Sequence, residues 1–250
     1  MRTIAWLYVR TRFNLLLFPA LALYLLLFAE GSLDSGEPYF VKYLFAFGML
    51  FLLRLFDDLQ NREYDKSKPD RVYTNEADYL MLRRLLYGLA MLFMLLLWIV
   101  HPLSGLLVLL IFGVINTWLY RRFLHHPKGQ TLLPLLKYPV LVMLIQLFPE
   151  GLSSFDLSEA ILALSVLPAF ILYEADTDQE FSLHTVLREL LFWCTFVLFV
   201  PFIAESDQQV LLLLIIAIAY VLYRWVPRKF SLYLPLLALL NIRLILAYDF

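Results

Sequence analysis

Nine long apolar runs, separated mostly by short polar breaks, constrain this chain more than any other feature. They fall near 15–29, 39–56, 85–100, 103–120, 132–148, 160–173, 190–204, 210–226 and 232–248. A run of this length cannot face water over its whole circumference. It reads as a helix crossing a bilayer, which needs about 20 residues. The runs are Leu-rich, much longer than a barrel strand and not alternating, which speaks against strands. Open sheet edges cannot face lipid, which leaves helices. Composition agrees: 62% of the residues are hydrophobic, 16% are charged and mean hydropathy is +0.76. A soluble domain carries about 25% charged residues, so a soluble globular enzyme is excluded. The single cysteine, Cys194, excludes an intrachain disulfide and a cysteine metal cluster. The expectation is an all-α, polytopic membrane protein, one nine-transmembrane-helix bundle over residues 1–250, with no separate soluble domain.

Orientation follows from Lys and Arg. With a cytoplasmic N-terminus, 18 of the 20 basic residues fall on the cytoplasmic side and only Lys42 and Arg243 fall toward the other. The C-terminus is then expected on the far side. The first run has a basic start and small residues near Ala29, as a signal peptide would. The charge partition nevertheless needs it as an uncleaved span. The net charge of −1 gives no overall polyanion-binding character, and no nucleic-acid partner is expected. Oligomeric state is not legible.

Two acidic segments close the second and sixth runs, so helix parity places both on the cytoplasmic side. In the first, Asp57, Asn61 and Asp65 lie four residues apart and share a helix face, with Asp58 flanking it. In the second, Glu174 and Asp178 share a face and Asp176 lies off it. Clustered acids are costly unless a cation joins them, and oxygen-only ligands suit Mg²⁺ that shares a substrate's phosphates. The plainer reading is a pair of solvated loops; their matching spacing and parity favour a shared site.

These two segments resemble the Asp-rich motifs of the UbiA superfamily of intramembrane prenyltransferases. Asp57, Asp58, Asn61 and Asp65 match the first motif position by position, with Asn61 where an Asp is usual. Glu174, Asp176, Thr177 and Asp178 match the second, with the first acid and the Glu exchanged and Thr177 in place of Gly. An Arg-Pro pair often follows the first motif, and a third acid often follows the second by four residues. Here there are Pro69-Asp70-Arg71 and Ser182. The resemblance implies a UbiA-like nine-helix bundle. It implies Mg²⁺-dependent transfer of an isoprenoid from a polyprenyl diphosphate to an aromatic, quinone-precursor or lipid acceptor within the membrane. Asp57, Asp58, Asn61 and Asp65 would hold one Mg²⁺. Glu174 and Asp178 would hold a second, with Asp176 as ligand or base. Lys66, Lys68, Arg71, Arg121, Arg122 and Lys137 would contact the diphosphate.

Donor chain length and acceptor are not legible. Lys137, one turn into the fifth run, either snorkels to the surface or faces the bundle interior. Asn116 and Gln146 read as interhelical packing groups, Arg243 as a snorkelling residue, His125 and His126 as loop residues, and His184 as a weak general-base candidate. A phosphatidyltransferase reading fails because Asp58 is followed by Leu59. The alternative class is a non-enzymatic transporter or a diverged lipid-binding member of the same fold.

Overall fold

The computed structural model describes residues 2–13, 16–31, 39–65, 72–100, 110, 113–114, 117–118, 133–147, 157–177, 184–231 and 233–249. Among these there are helices and no strand. In chain order the helices are α1 Arg2–Arg12, α2 Leu17–Glu30, α3 Tyr39–Gln60, α4 Arg62–Asp65, α5 Glu76–Val100, α6 Lys137–Gln146, α7 Leu157–Thr177, α8 Thr185–Val197, α9 Val200–Glu205, α10 Gln209–Trp225, α11 Arg228–Ser231 and α12 Leu234–Asp249. Short 3₁₀ turns at Val72–Thr74 and Leu133–Leu136 precede α5 and α6.

Eight of the nine apolar runs coincide with helices. The fourth, 103–120, lies almost wholly outside the described residues. Three helices, α3, α5 and α7, are long and apolar enough to cross a membrane. The bent pair α1 and α2, meeting at 69°, makes up to four. The sequence placed no separate helix before residue 15; α1 is an addition to the expected pattern.

The core gathers where α2, α3, α6, α7 and α12 pack against one another. Leu25, Phe28, Met49, Leu50, Leu141, Val166, Leu239 and Ile242 meet there, almost completely buried. The outer helices are apolar on their outward faces too: Met91, Leu95 and Ile99 on α5 and Val210, Leu213 and Val221 on α10 are more than half exposed. A helix that is apolar all round is stable only when lipid or protein surrounds it. Gly48 lets α3 and α5 approach, because a Cβ there would run into the Phe93 ring. Small residues serve this purpose in membrane helix packing.

Five helices run alternately between two charged ends. One end holds Arg12, Arg54, Asp57, Asp58, Lys137, Glu174 and Tyr233. The other holds Glu30, Lys42, Gln146, Glu159 and Arg243. Lys42 to Asp57 on α3 and Glu159 to Glu174 on α7 each span 15 residues, or about 22 Å at 1.5 Å per residue. Both charged layers therefore fit inside a hydrocarbon core of about 30 Å, and their charges must be compensated within the protein.

At the far end they are. Lys42 pairs with Glu30 at 2.7 Å. The expected snorkelling of Arg243 is not what the structure shows. Its guanidinium turns inward, 3.2 Å from Glu159, and donates to the carbonyls of Phe28 (3.2 Å) and Ala29 (3.4 Å). Those are last-turn carbonyls of α2, which lack intrahelical donors, so a cation there also meets the negative end of the helix dipole. Gly31 closes α2 at φ +73°, and a Cβ there would come within 2.9 Å of Ala247. Gln146 donates to Glu159 at 2.5 Å, the packing role expected of it.

Candidate functional site

The helical course of α3 continues beyond Gln60: the Asn61 amide donates to Asp57 and the Asp65 amide to Asn61, each at 3.0 Å. Consecutive helical positions differ by about 100°, so Asp57 and Asp58 face different neighbours. Asp57 turns to α6, where Lys137 Nζ pairs with its Oδ2; both side chains are about 5% exposed. Lys137 is therefore an interior residue. Asp58 turns to α1. Arg12 Nη2 lies 2.6 Å from Oδ1 and Arg12 Nε 3.0 Å from Oδ2, a two-toothed fork. Tyr8 Oη donates to Oδ2 at 2.9 Å, and Arg54 Nη2 lies 3.5 Å from Oδ1. Asp65 accepts from the Tyr73 hydroxyl. Burial pushes the Tyr73 phenol up, and Asp58 and Asp65 push it the same way, so it stays a neutral donor.

The three acids of the first motif thus each have a different partner in the protein. Among the described residues no three acidic, His or Cys side chains group as metal ligands would. Mg²⁺ needs free oxygens in near-octahedral array. The oxygens of Asp58 are filled by two guanidiniums and a phenol, and Asp57 is neutralised by Lys137. As folded, this patch does not fit a resident Mg²⁺. Asn61 Oδ1 is buried with no partner among the described residues.

Beside these pairs lies a cavity of about 470 Å³, within the ~300–1,000 Å³ typical of small-molecule sites. Arg12 of α1 and Arg54 of α3 line it, with Leu17, Phe18, Ala20, Leu21 and Tyr24 of α2. Across from them are Tyr138 of α6, Phe170, Tyr173 and Glu174 of α7, and Tyr233, Leu236 and Leu237 at the start of α12. The Tyr138 and Phe170 rings stack at 3.7 Å, and Tyr24 meets Phe170 edge-on at 6.3 Å. The hydroxyl of Tyr24 and Nε of Arg54 are buried with no hydrogen-bond partner among the described residues. The cavity is apolar and aromatic along its walls, with arginines and one glutamate supplying its charge.

Of the residues expected at the site, Asp57, Asp58, Lys137 and Glu174 come to the same end of the bundle, and Glu174 shares the cavity with the arginines that grip Asp58. Lys66, Lys68, Arg71, Arg121, Arg122 and Asp178 lie outside the described residues, as does the side chain of Asp176. Sequence reasoning did not assign Tyr8, Arg12 and Arg54 to the site. A signal was present: Tyr8 and Arg12, and Arg54 and Asp58, are each four residues apart and share a helix face. His184 caps α8, its Nδ1 accepting from the Val186 amide at 3.4 Å, so its role there is structural.

No protein-family model, no curated protein and no solved structure matches this chain.

Proposed function

We propose that this is an integral-membrane prenyltransferase of nine spans, its N-terminus and acidic motifs cytoplasmic and its C-terminus on the far side. Its substrates would be a polyprenyl diphosphate and a lipophilic acceptor: an aromatic ring, a quinone precursor or a lipid alcohol. The observation that carries this reading is the 470 Å³ cavity, apolar and aromatic along its walls, where Arg12, Arg54 and Glu174 meet. Such a space suits a molecule with a greasy tail and an anionic head.

In this reading the tail lies against Leu21, Phe170 and Leu236, and the diphosphate faces Arg12 and Arg54. The allylic C–O bond breaks heterolytically, and its electron pair leaves with the diphosphate. Arg12 and Arg54 stabilise that developing charge through fixed N–H donors. The aromatic faces of Tyr138 and Phe170 stand beside the carbocation. The acceptor's nucleophilic carbon or oxygen closes the new bond and loses a proton, with Glu174 on the wall to receive it. A Mg²⁺ arriving with the diphosphate belongs here to the substrate.

The test is transfer from radiolabelled prenyl diphosphates to candidate acceptors by the detergent-purified protein. Product formation that falls at least tenfold in Glu174→Gln is expected; no product with any acceptor class would remove the proposal. The neutralisation of Asp57 and Asp58 by Lys137 and Arg12 favours one second reading, a non-enzymatic lipid binder or transporter on the same frame. Binding of a prenyl diphosphate without turnover would select it.

A further inference from the structure

We infer that the cavity recognises a phosphate-bearing single-chain lipid through Arg12 and Arg54 directly, without a resident metal, and that Asp58 is the internal anion this head group displaces. The inference rests on reading the cavity as the prenyl diphosphate site, and it departs from the Mg²⁺ clusters that the acidic motifs led the sequence to expect.

Three observations carry it. First, the acids are already neutralised: Lys137 holds Asp57, and Arg12 and Arg54 hold Asp58. Glu174 on the far wall brings the described charges into balance, three cations against three carboxylates. Second, two guanidiniums, with five N–H donors each, share one carboxylate. Arg12 takes both oxygens at 2.6 and 3.0 Å, which leaves Arg54 the longer contact of 3.5 Å. Third, Arg54 Nε and the Tyr24 hydroxyl are buried without partners among the described residues, and both residues line the cavity. Buried polar groups are nearly always satisfied, so both side chains have donor capacity left for an acceptor that shifts the Arg12–Asp58 contact beside them. A tetrahedral phosphate offers several acceptor oxygens, and Arg binds it in a two-toothed geometry. The aliphatic and aromatic walls require that the phosphate carry a chain.

The head group would take the place of the Asp58 carboxylate on Arg12. Because Tyr8 and Arg12 both lie on α1, that exchange loosens the contacts that tie α1 to α3.

The test measures thermal unfolding of the detergent-purified full chain in excess EDTA, with farnesyl diphosphate, farnesyl monophosphate, farnesol or inorganic diphosphate added. The expected result is stabilisation by both farnesyl phosphates and none by farnesol, with inorganic diphosphate acting only at far higher concentration. Stabilisation by inorganic diphosphate at the same concentration would assign the site to a free anion and overturn the lipid part. Arg54→Gln should weaken farnesyl diphosphate by at least about tenfold, the effect of losing one charge-assisted hydrogen bond. Arg54→Lys keeps the charge and can still reach Asp58, so it controls for folding. It too should lose affinity, since it lacks Nε. Stabilisation that appears only when Mg²⁺ is restored overturns the inference while leaving prenyl transfer standing. Metal-free binding with no transfer to any acceptor does the reverse. No stabilisation under either condition removes both.

Discussion

Arg12 grips Asp58 with Nη2 at 2.6 Å and Nε at 3.0 Å, joining α1 to the end of α3 across 46 residues of sequence. The side chains are 12% and 5% exposed, so the pair is shielded from bulk solvent. Tyr8 adds a third hydrogen bond to the same carboxylate. The Arg12–Asp58 contact acts together with aromatic packing: Tyr8 is fully buried edge-on to Phe51, and Phe13 just past α1 is buried against Phe18, Phe47 and Phe51, while Trp6 and Leu7 point outward, 60% and 45% exposed.

Asp58→Asn removes the charge that Arg12 and Arg54 share. A hydrogen bond to a charged group contributes about 1.5–3 kcal/mol, so stability should fall by that order. Chemical unfolding in detergent measures it. Proteolysis within residues 2–12 should rise in parallel, because α1 loses its tie.

Lys137→Met should cost about 3 kcal/mol, since it takes the ammonium partner from the buried Asp57 carboxylate. Lys137→Met combined with Asp57→Leu should recover most of that loss, because the costly state is the buried carboxylate without its ammonium. A double-mutant cycle with additive losses would mean that the two side chains do not interact.

Tyr73 governs an alkaline effect. Its phenol is raised above the ordinary value of 10.0. Above that pH the unfolded chain has released this proton while the folded chain retains it. The folded state then binds more protons, and stability falls as pH rises. Tyr73→Phe should show a shallower loss of stability than the parent above pH 10, measured as the difference between the two pH profiles.

At the far end, Glu159→Ala removes the carboxylate that Arg243 and Gln146 share and leaves Arg243 the carbonyls of Phe28 and Ala29. Glu159 is half-buried, so its loss should lower stability by about 1 kcal/mol. Glu159 lies about 22 Å from Glu174 along α7, so farnesyl diphosphate should stabilise this variant as much as the parent.

Helical class and the position of most elements were legible because long apolar runs leave a chain few choices. Pairing within the bundle was not. The acidic face Asp57, Asn61 and Asp65 was read from its four-residue spacing, and the backbone does carry that spacing through Asp65. What the spacing could not reveal is what stands opposite each acid: Lys137 from 80 residues away, Arg12 from 46 residues before, Tyr73 from the turn that follows. A cluster of acids in one sequence window suggested a shared cation because neighbours from other helices are invisible there. Arg243 was misjudged for the same reason, since its partners, Glu159 and the end of α2, are distant in sequence.

The most direct measurement maps where a prenyl diphosphate rests. A farnesyl diphosphate analogue with a benzophenone in its chain is photolysed with the purified protein, and the labelled peptides are sequenced. The account predicts labels on α2 around Leu21 and Tyr24, on α7 around Phe170 and Tyr173, and on α12 around Leu236, all competed away by unmodified farnesyl diphosphate. Competed labels confined to the separate groove between α3 and α5, around Leu53, Leu86 and Ala90, would contradict it.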